Sequence, residues 1–267
     1  MGSSLSSATN GTGKYGEPTG RRAKNVAVVG LDGAGKSCLL ARFFSSRKFD
    51  KVDVTPPYLT QNVAHVVRAL AAGGKASRSA GFATKLSTVI LPTCGFSCMD
   101  MVETSGSRWR VWDMSGQGRY RHFWEEYCAV ADAIVFVHAC NDVERIEAMK
   151  AEFHAVIRAV DSGTRGGEPI PFLFVLAKSD IVRAGSSSVA SKGDGGGVDD
   201  DAADDGEDEV PPEGQITPAQ LAGVLDLGTL DPVLHTSHIQ VMSAINGDGV
   251  ADGFKWLASM VDKIQNH

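Results

Sequence analysis

The sequence predicts an α/β domain on a mainly parallel sheet, interrupted by two long segments that build no core. Three observations carry this prediction. Short β-branched apolar runs alternate with amphipathic stretches of helical period. The first run passes through a glycine-rich loop directly into a helical pattern. Polar, glycine-rich and charged residues are gathered into two blocks, 45–88 and 183–214, and the second has almost no large apolar side chains to offset the entropy of ordering.

In chain order, NVAVVG at 25–30 is the first strand, LDGAGKS is a tight loop, and CLLARFF opens the first helix. A hairpin-like pair follows at 95–102 and 108–112, turning at Ser105-Gly106. The run at 133–138 is a buried strand. Ile146, Met149, Phe153, Val156, Ile157 and Val160 then recur at helical spacing and predict a helix over 142–160. Strands at 171–176 and 238–242 and a final helix over 250–264, with Phe254, Leu257, Val261 and Ile264 on one side, complete the alternation. Within the first block, QNVAHVVRAL at 61–70 predicts a short helix.

Composition narrows the class. The 267 residues carry 26 Lys+Arg against 32 Asp+Glu, a formal charge of −6, and are 43% hydrophobic. That fits one soluble domain with extras, or two small ones, and excludes a strongly basic nucleic-acid binder. The acidity is local: residues 194–213 hold ten acids and no Lys or Arg. The block 45–88 is basic, with seven Lys/Arg against two acids. Five cysteines, Cys38, Cys94, Cys98, Cys128 and Cys140, form no C-x-x-C pair and no zinc spacing, so neither a disulfide framework nor a zinc site is encoded and a reducing cytosol is expected. The longest apolar runs fall far short of the ~20 residues that span a bilayer. Residues 1–24 read as a disordered tail without the apolar core of a secretory signal. The start Met1-Gly2-Ser3-Ser4-Leu5-Ser6 fits the N-myristoylation pattern, which makes Gly2 a lipidation candidate.

The chemistry is concentrated in loops after strands. Gly30-Leu31-Asp32-Gly33-Ala34-Gly35-Lys36-Ser37 matches G-x-x-x-x-G-K-[ST] between a predicted strand and a predicted helix. Backbone N–H groups and the helix N-terminus suit phosphates there, Lys36 suits the β/γ-phosphates, and the Ser37 hydroxyl suits Mg2+. Asp113, at the end of the second hairpin strand, suits a metal-bound water. Behind it Gly116 offers an N–H for a γ-phosphate and Gln117 a group to orient attacking water. Thr93 offers a second hydroxyl to the metal. Ala177-Lys178-Ser179-Asp180 follows a strand and supplies a Lys stem to cover a flat base and an Asp to accept from the N1–H and N2–H2 of guanine. Ser243-Ala244-Ile245 follows the last strand, where the Ala244 N–H would meet the guanine O6.

With these segments in this order, the chain resembles the Arf and Arf-like branch of the Ras-type small GTPases over residues 25–45, 92–182 and 215–265. LDGAGKS looks like the Arf form of the phosphate loop, and Leu91-Pro92-Thr93-Cys94-Gly95-Phe96 looks like the exit of its switch I. Trp112-Asp113-Met114-Ser115-Gly116-Gln117-Gly118-Arg119-Tyr120-Arg121, followed by Trp124-Glu125 and Tyr127, is similar to the Arf-like subfamily linked to Bardet-Biedl syndrome, which recruits the BBSome coat at cilia. The resemblance implies a P-loop small G domain: a six-stranded, mainly parallel sheet with helices on both faces and 95–102 as one antiparallel edge strand, all within residues 25–267. It implies binding of GTP or GDP with Mg2+, slow hydrolysis, an exchange factor and a GTPase-activating protein. It further implies an effector surface at Phe96, Trp112 and Tyr127, a BBSome-like effector or coat complex, and no nucleic-acid partner. The expected location is cytoplasmic and reversibly membrane-associated in the GTP state, at the base of a cilium or flagellum.

Three departures qualify the resemblance. The guanine motif N-K-x-D has Ala177 where Asn is expected; losing one such bond costs about 1–3 kcal/mol, or roughly fivefold to 150-fold in affinity. Ser37 and Thr93 are separated by a long insertion, although loop closure costs only about 0.6 kcal/mol per doubling of length. Residues 1–24 lack the family's amphipathic membrane helix, leaving lipid and the basic residues Lys14, Arg21, Arg22 and Lys24 as anchors. Two other classes stay open at the level of sequence: a non-catalytic pseudoGTPase scaffold with weakened guanine binding, and a P-loop ATPase or kinase of another branch.

Overall fold

The computed structural model describes residues 22–47, 49–55 (backbone only), 92–163, 167–181 and 214–266. Gly2, most of the expected tail, the helix at 61–70 and the acidic run 194–213 lie outside the described residues.

The strands are β1 Lys24–Val29, β2 Phe49–Thr55, β3 Phe96–Glu103, β4 Arg108–Met114, β5 Ala133–Ala139, β6 Ile170–Ala177 and β7 His235–Val241. The helices are α1 Lys36–Ser45, α2 His122–Ala129, α3 Ile146–Ser162, α4 Pro218–Val224 and α5 Val250–Gln265. One sheet runs β2-β3-β4-β1-β5-β6-β7, antiparallel across β2-β3 and β3-β4 and parallel elsewhere.

Period-two alternation divides the core between two faces. Val26 and Val28 of β1, with Val135 and Val175, pack under α1 and α5 through Leu39, Phe43, Phe254 and Leu257. Ala27 and Val29, with Phe136 and Phe174, pack under α2, α3 and α4 through Trp124, Phe153 and Leu221. Central strands buried on both faces explain why 133–137 and 170–177 read as unbroken apolar runs.

The sheet corrects the expected count and edge. It has seven strands, and β3 is covered by β2, whose register runs from Phe49↔Glu103 to Thr55↔Cys98 with an irregularity between Phe49 and Lys51. The start of the basic block is therefore ordered backbone. KVDVT alternates β-branched and charged residues, and pairing it satisfies the row of N–H and C=O groups that β3 would otherwise leave open.

Helix α3 begins at Ile146, four residues later than the periodicity predicts. The intervening turn is held by the Arg145 guanidinium on the Asp142 carboxylate and by the Asp142 carbonyl next to His138 Nε2. Strand β7 begins at His235, whose buried ring lies 2.8 Å from Asp161 Oδ1. Two short helices were not predicted. α4 carries a legible start: Thr217 and Gln220 form a reciprocal capping box with Pro218 in the first turn. Lys24, assigned above to the basic tail, is the first residue of β1; it is buried, with its ammonium 2.8 Å from Asp262.

Candidate functional site

The phosphate loop, Asp113, Gly116, Gln117, Lys178, Asp180 and Ala244 lie at the carboxyl ends of strands β1, β4, β6 and β7 or just after them, where open α/β sheets bind ligands, while Lys36 and Ser37 open α1 and Thr93 precedes the antiparallel β3. The phosphate loop leaves β1 at Gly30, whose φ is +141° and where a Cβ would stand 2.1 Å from the Val137 carbonyl oxygen. Only glycine lets the loop turn this close to β5. Lys36, 6% exposed, donates from Nζ to the carbonyls of Gly30 (2.7 Å) and Leu31 (2.9 Å). Burial lowers its pKa to about 8, against the opposing charges of Asp113 and Asp32. A desolvated ammonium on two carbonyls could exchange them for phosphate oxygens.

Ser37, Thr93 and Asp113 converge from three segments. The Ser37 hydroxyl donates to Asp113 Oδ2 at 2.6 Å and lies 3.0 Å from Thr93 Oγ1, and Thr93 Oγ1 donates to the same carboxylate oxygen at 3.3 Å. Asp113 is fully buried and its Oδ1 has no hydrogen-bond partner. Burial pushes its pKa up, while Ser37, Lys36 and Thr93 hold it down. Two hydroxyls and a carboxylate with one orphaned oxygen are hard oxygen donors that fit Mg2+ completed by phosphate and water. Among the described residues no three His, Cys, Asp or Glu side chains form a metal cage, so the ion would depend on the nucleotide for its remaining ligands.

Gly116 packs directly on the phosphate loop: a Cβ there would lie 2.3 Å from Asp32 N and from Leu31 C. Gln117 follows, half-buried, with its Oε1 enclosed and without a partner. Gly33, Ala34 and Gly35 complete the loop. Asp32, exposed like Gly33, meets Arg121 and Arg145.

At the base end, Lys178 adopts φ 65°, a left-handed conformation. Its carbonyl accepts from Cys140 Sγ at 3.4 Å. Asp180 Oδ1 accepts from Ser243 Oγ at 2.7 Å. Ser243 is fully buried, and its oxygen also accepts from the N–H groups of Ile245 (3.2 Å) and Asn246 (3.1 Å). One hydroxyl thus fixes the Asp180 carboxylate and shapes the loop that carries Ala244. Ser243 is an orienting residue that the sequence reading passed over, because a serine after a strand has no distinguishing pattern. Ala177, 4% exposed, turns its methyl towards the phosphate loop, 3.9 Å from the position a Cβ on Gly35 would take.

Phe96, Trp112 and Tyr127 come together half-buried beside this site, with ring centroids 4.8–5.8 Å apart. Phe123 joins them 6.5 Å from Phe96, and Trp112 Nε1 donates to Asn25 Oδ1 at 2.7 Å.

A phosphate loop opening a helix, a Ser/Thr/Asp oxygen cluster and a Lys-x-Asp base motif define a P-loop nucleotide-binding fold of the small G protein kind. The chain matches the ADP-ribosylation factor family over residues 58–193. It is 27% identical over 240 residues to ADP-ribosylation factor F of Dictyostelium discoideum, covering 90% of this chain and 86% of that protein. It is 30% identical over 246 residues to human ADP-ribosylation factor-like protein 4D, covering 91% and 85%. A shorter stretch of 92 residues, 34% of this chain and 47% of the relative, is 40% identical to zebrafish ADP-ribosylation factor-like protein 6. Among solved structures, the Arl6 BBS3 small GTPase from Trypanosoma brucei with bound nucleotide analogue GppNp shares the fold, with a TM-score of 0.55 at 23% identity over 90% of this chain and 97% of that one. The chain belongs to the ADP-ribosylation factor family, whose members are guanine-nucleotide switches that hydrolyse GTP.

Proposed function

We propose that this chain is an Arf-like switch that binds GTP with Mg2+, hydrolyses it slowly, and in the GTP state recruits an effector or coat complex to a membrane surface. The observation that carries the reading is the meeting of Ser37, Thr93 and Asp113 within 3.3 Å, despite the 45–88 block between the first two. Lys36 would hold the β/γ-phosphates, Gly116 would donate to the γ-phosphate, and Gln117 would orient the attacking water. Bound Mg2+ would neutralise phosphate charge. Lys178 would cover the base, with Asp180, aimed by Ser243, selecting guanine. Slow turnover raised by an activating protein, and loading by an exchange factor, complete the cycle.

The half-buried cluster of Phe96, Trp112 and Tyr127 is the effector surface in this reading. The similarity of 112–121 to the BBSome-recruiting subfamily, and the stretch shared with zebrafish ADP-ribosylation factor-like protein 6, support a ciliary or flagellar coat as the partner. Among the described residues no helix is long and apolar enough to cross a membrane, so reversible attachment would rest on Gly2 acylation and tail charge. Denaturing the purified chain and identifying the released nucleotide tests the core of the reading, with GTP or GDP expected. Mass spectrometry of the N-terminus from eukaryotic cells and flotation of the GTP-loaded chain with lipid vesicles test the rest. Ala177 favours one second reading, a scaffold with weak guanine binding; failure to release phosphate from loaded GTP, with or without cell extract, would support it.

A further inference from the structure

The peptide unit between Gly116 and Gln117 is held at both ends, and its carbonyl end leads to two arginines that the nucleotide reading leaves unused. Its carbonyl accepts from Arg121 Nε at 2.7 Å, and its N–H donates to Ser115 Oγ at 3.3 Å. Arg121 also donates to Glu152 Oε1 of α3 (3.1 Å) and to Asp32 Oδ1 of the phosphate loop (3.2 Å). Arg145, at the head of α3, donates to that same Asp32 oxygen (3.1 Å), to the Asp32 carbonyl (3.0 Å) and to Asp142 Oδ1 (3.1 Å). Both guanidiniums lie close enough to Lys36 to act on its charge.

We propose that Arg121 and Arg145, joined through Asp32, are positioning residues that fix the Gly116–Gln117 peptide and thereby aim Gln117. The proposal rests on the GTPase reading above for its catalytic consequence. A peptide beside glycine is the easiest to rotate, since no Cβ restricts it. Rotating this one would swing Gln117 while leaving the remainder of the site in place. Isolated surface ion pairs contribute little, but here three acids and two guanidiniums form one network with backbone acceptors, and the planar fork of arginine meets several oxygens in set directions. A lysine ammonium on a flexible stem could not reproduce the Gly116, Glu152 and Asp32 contacts together. Arg121 acts directly on the peptide; Arg145 acts by holding Asp32, and so holds Arg121.

The test uses the full chain: one sample is denatured to identify its nucleotide, and another, kept folded, is loaded with GTP for single-turnover phosphate release alongside GDP dissociation. Arg121→Ala should slow hydrolysis about tenfold while GDP release changes much less, and Arg121→Lys should not restore the rate. Arg145→Ala should give a smaller loss in the same direction. The double variant should fall short of the product of the two effects, because Arg145 acts on the peptide only through Asp32 and Arg121. Folded, loaded variants that hydrolyse at the wild-type rate, or multiplicative effects, would overturn the proposal. A chain that neither carries nor takes up guanine nucleotide would sink the GTPase reading instead. In that event amide exchange at Gln117 still decides: faster exchange in Arg121→Ala supports the clamp, and unchanged exchange overturns it.

Discussion

Restoring an asparagine at position 177 is the most informative single change to this site. Ala177 ends β6 almost fully buried, with its methyl facing the phosphate loop at Gly35. Its carbonyl is taken by the Cys140 N–H at 2.9 Å, so the backbone there is already fixed and a longer side chain would enter a set direction. Ala177→Asn adds an amide that can bond both the loop backbone and the base. One or two such bonds in a buried, charge-rich site are worth about 1–3 kcal/mol, which is roughly fivefold to 150-fold in affinity. The opposing term is crowding, since inserting atoms into a packed site costs about 1–3 kcal/mol when neighbours cannot give. The two are separable: added bonds slow nucleotide release without lowering the melting temperature of the nucleotide-free chain, whereas crowding lowers it. Stopped-flow release of a fluorescent GDP analogue, with thermal melts of stripped protein, is the assay. Release at least fivefold slower is expected. Unchanged or faster release with an undisturbed melt would refute the idea that the missing amide weakens this site.

The other predictions concern individual site groups. Asp180→Asn should shift preference from GTP towards XTP, and Ser243→Ala should weaken GTP binding by about tenfold through a carboxylate left unaimed, both measured by competition; no shift in the first would mean that Asp180 does not read the base. Because burial lowers the Lys36 pKa to about 8 whereas phosphate favours its charged form, GTP affinity should fall by about tenfold per pH unit above that value; the sign follows from the free site shedding a proton that the complex must regain, and a flat titration of binding from neutral to mildly alkaline pH would contradict it. Gly30→Ala places a methyl 2.1 Å from a backbone oxygen of β5 at positive φ, so it should cost about 4 kcal/mol or more and lower the melting temperature sharply. Gln117→Leu should leave GTP binding intact and nearly abolish phosphate release in a single-turnover assay.

The parts of the site legible in the sequence are those where chemistry demands particular residue types at short spacing. The phosphate loop, Asp113-Met114-Ser115-Gly116-Gln117 and Lys178-Ser179-Asp180 each combine strand, turn and functional group within a few residues. Ser243, Arg121 and Arg145 were not legible as parts of the site. Their roles draw on partners 63, 89 and 113 residues away, and even the local contact of Arg121 with the Gly116 carbonyl depends on how the turn between them folds. Phe123 joined the aromatic cluster for the same reason.

By itself the sequence determined the alternation of strands and helices, the two-faced core and the family, because hydrophobic period and glycine-rich loops are local consequences of backbone geometry. Tertiary structure alone decided that a seventh strand caps β3, because whether KVDVT is loop or strand depends on an open sheet edge next to it. It also decided that Lys24 is interior rather than tail, and that Ser37 and Thr93 share one oxygen of the Asp113 carboxylate. Pairing and burial are properties of what the folded chain places alongside a residue, and a charge such as that of Lys24 reads the same in sequence whether water or Asp262 surrounds it.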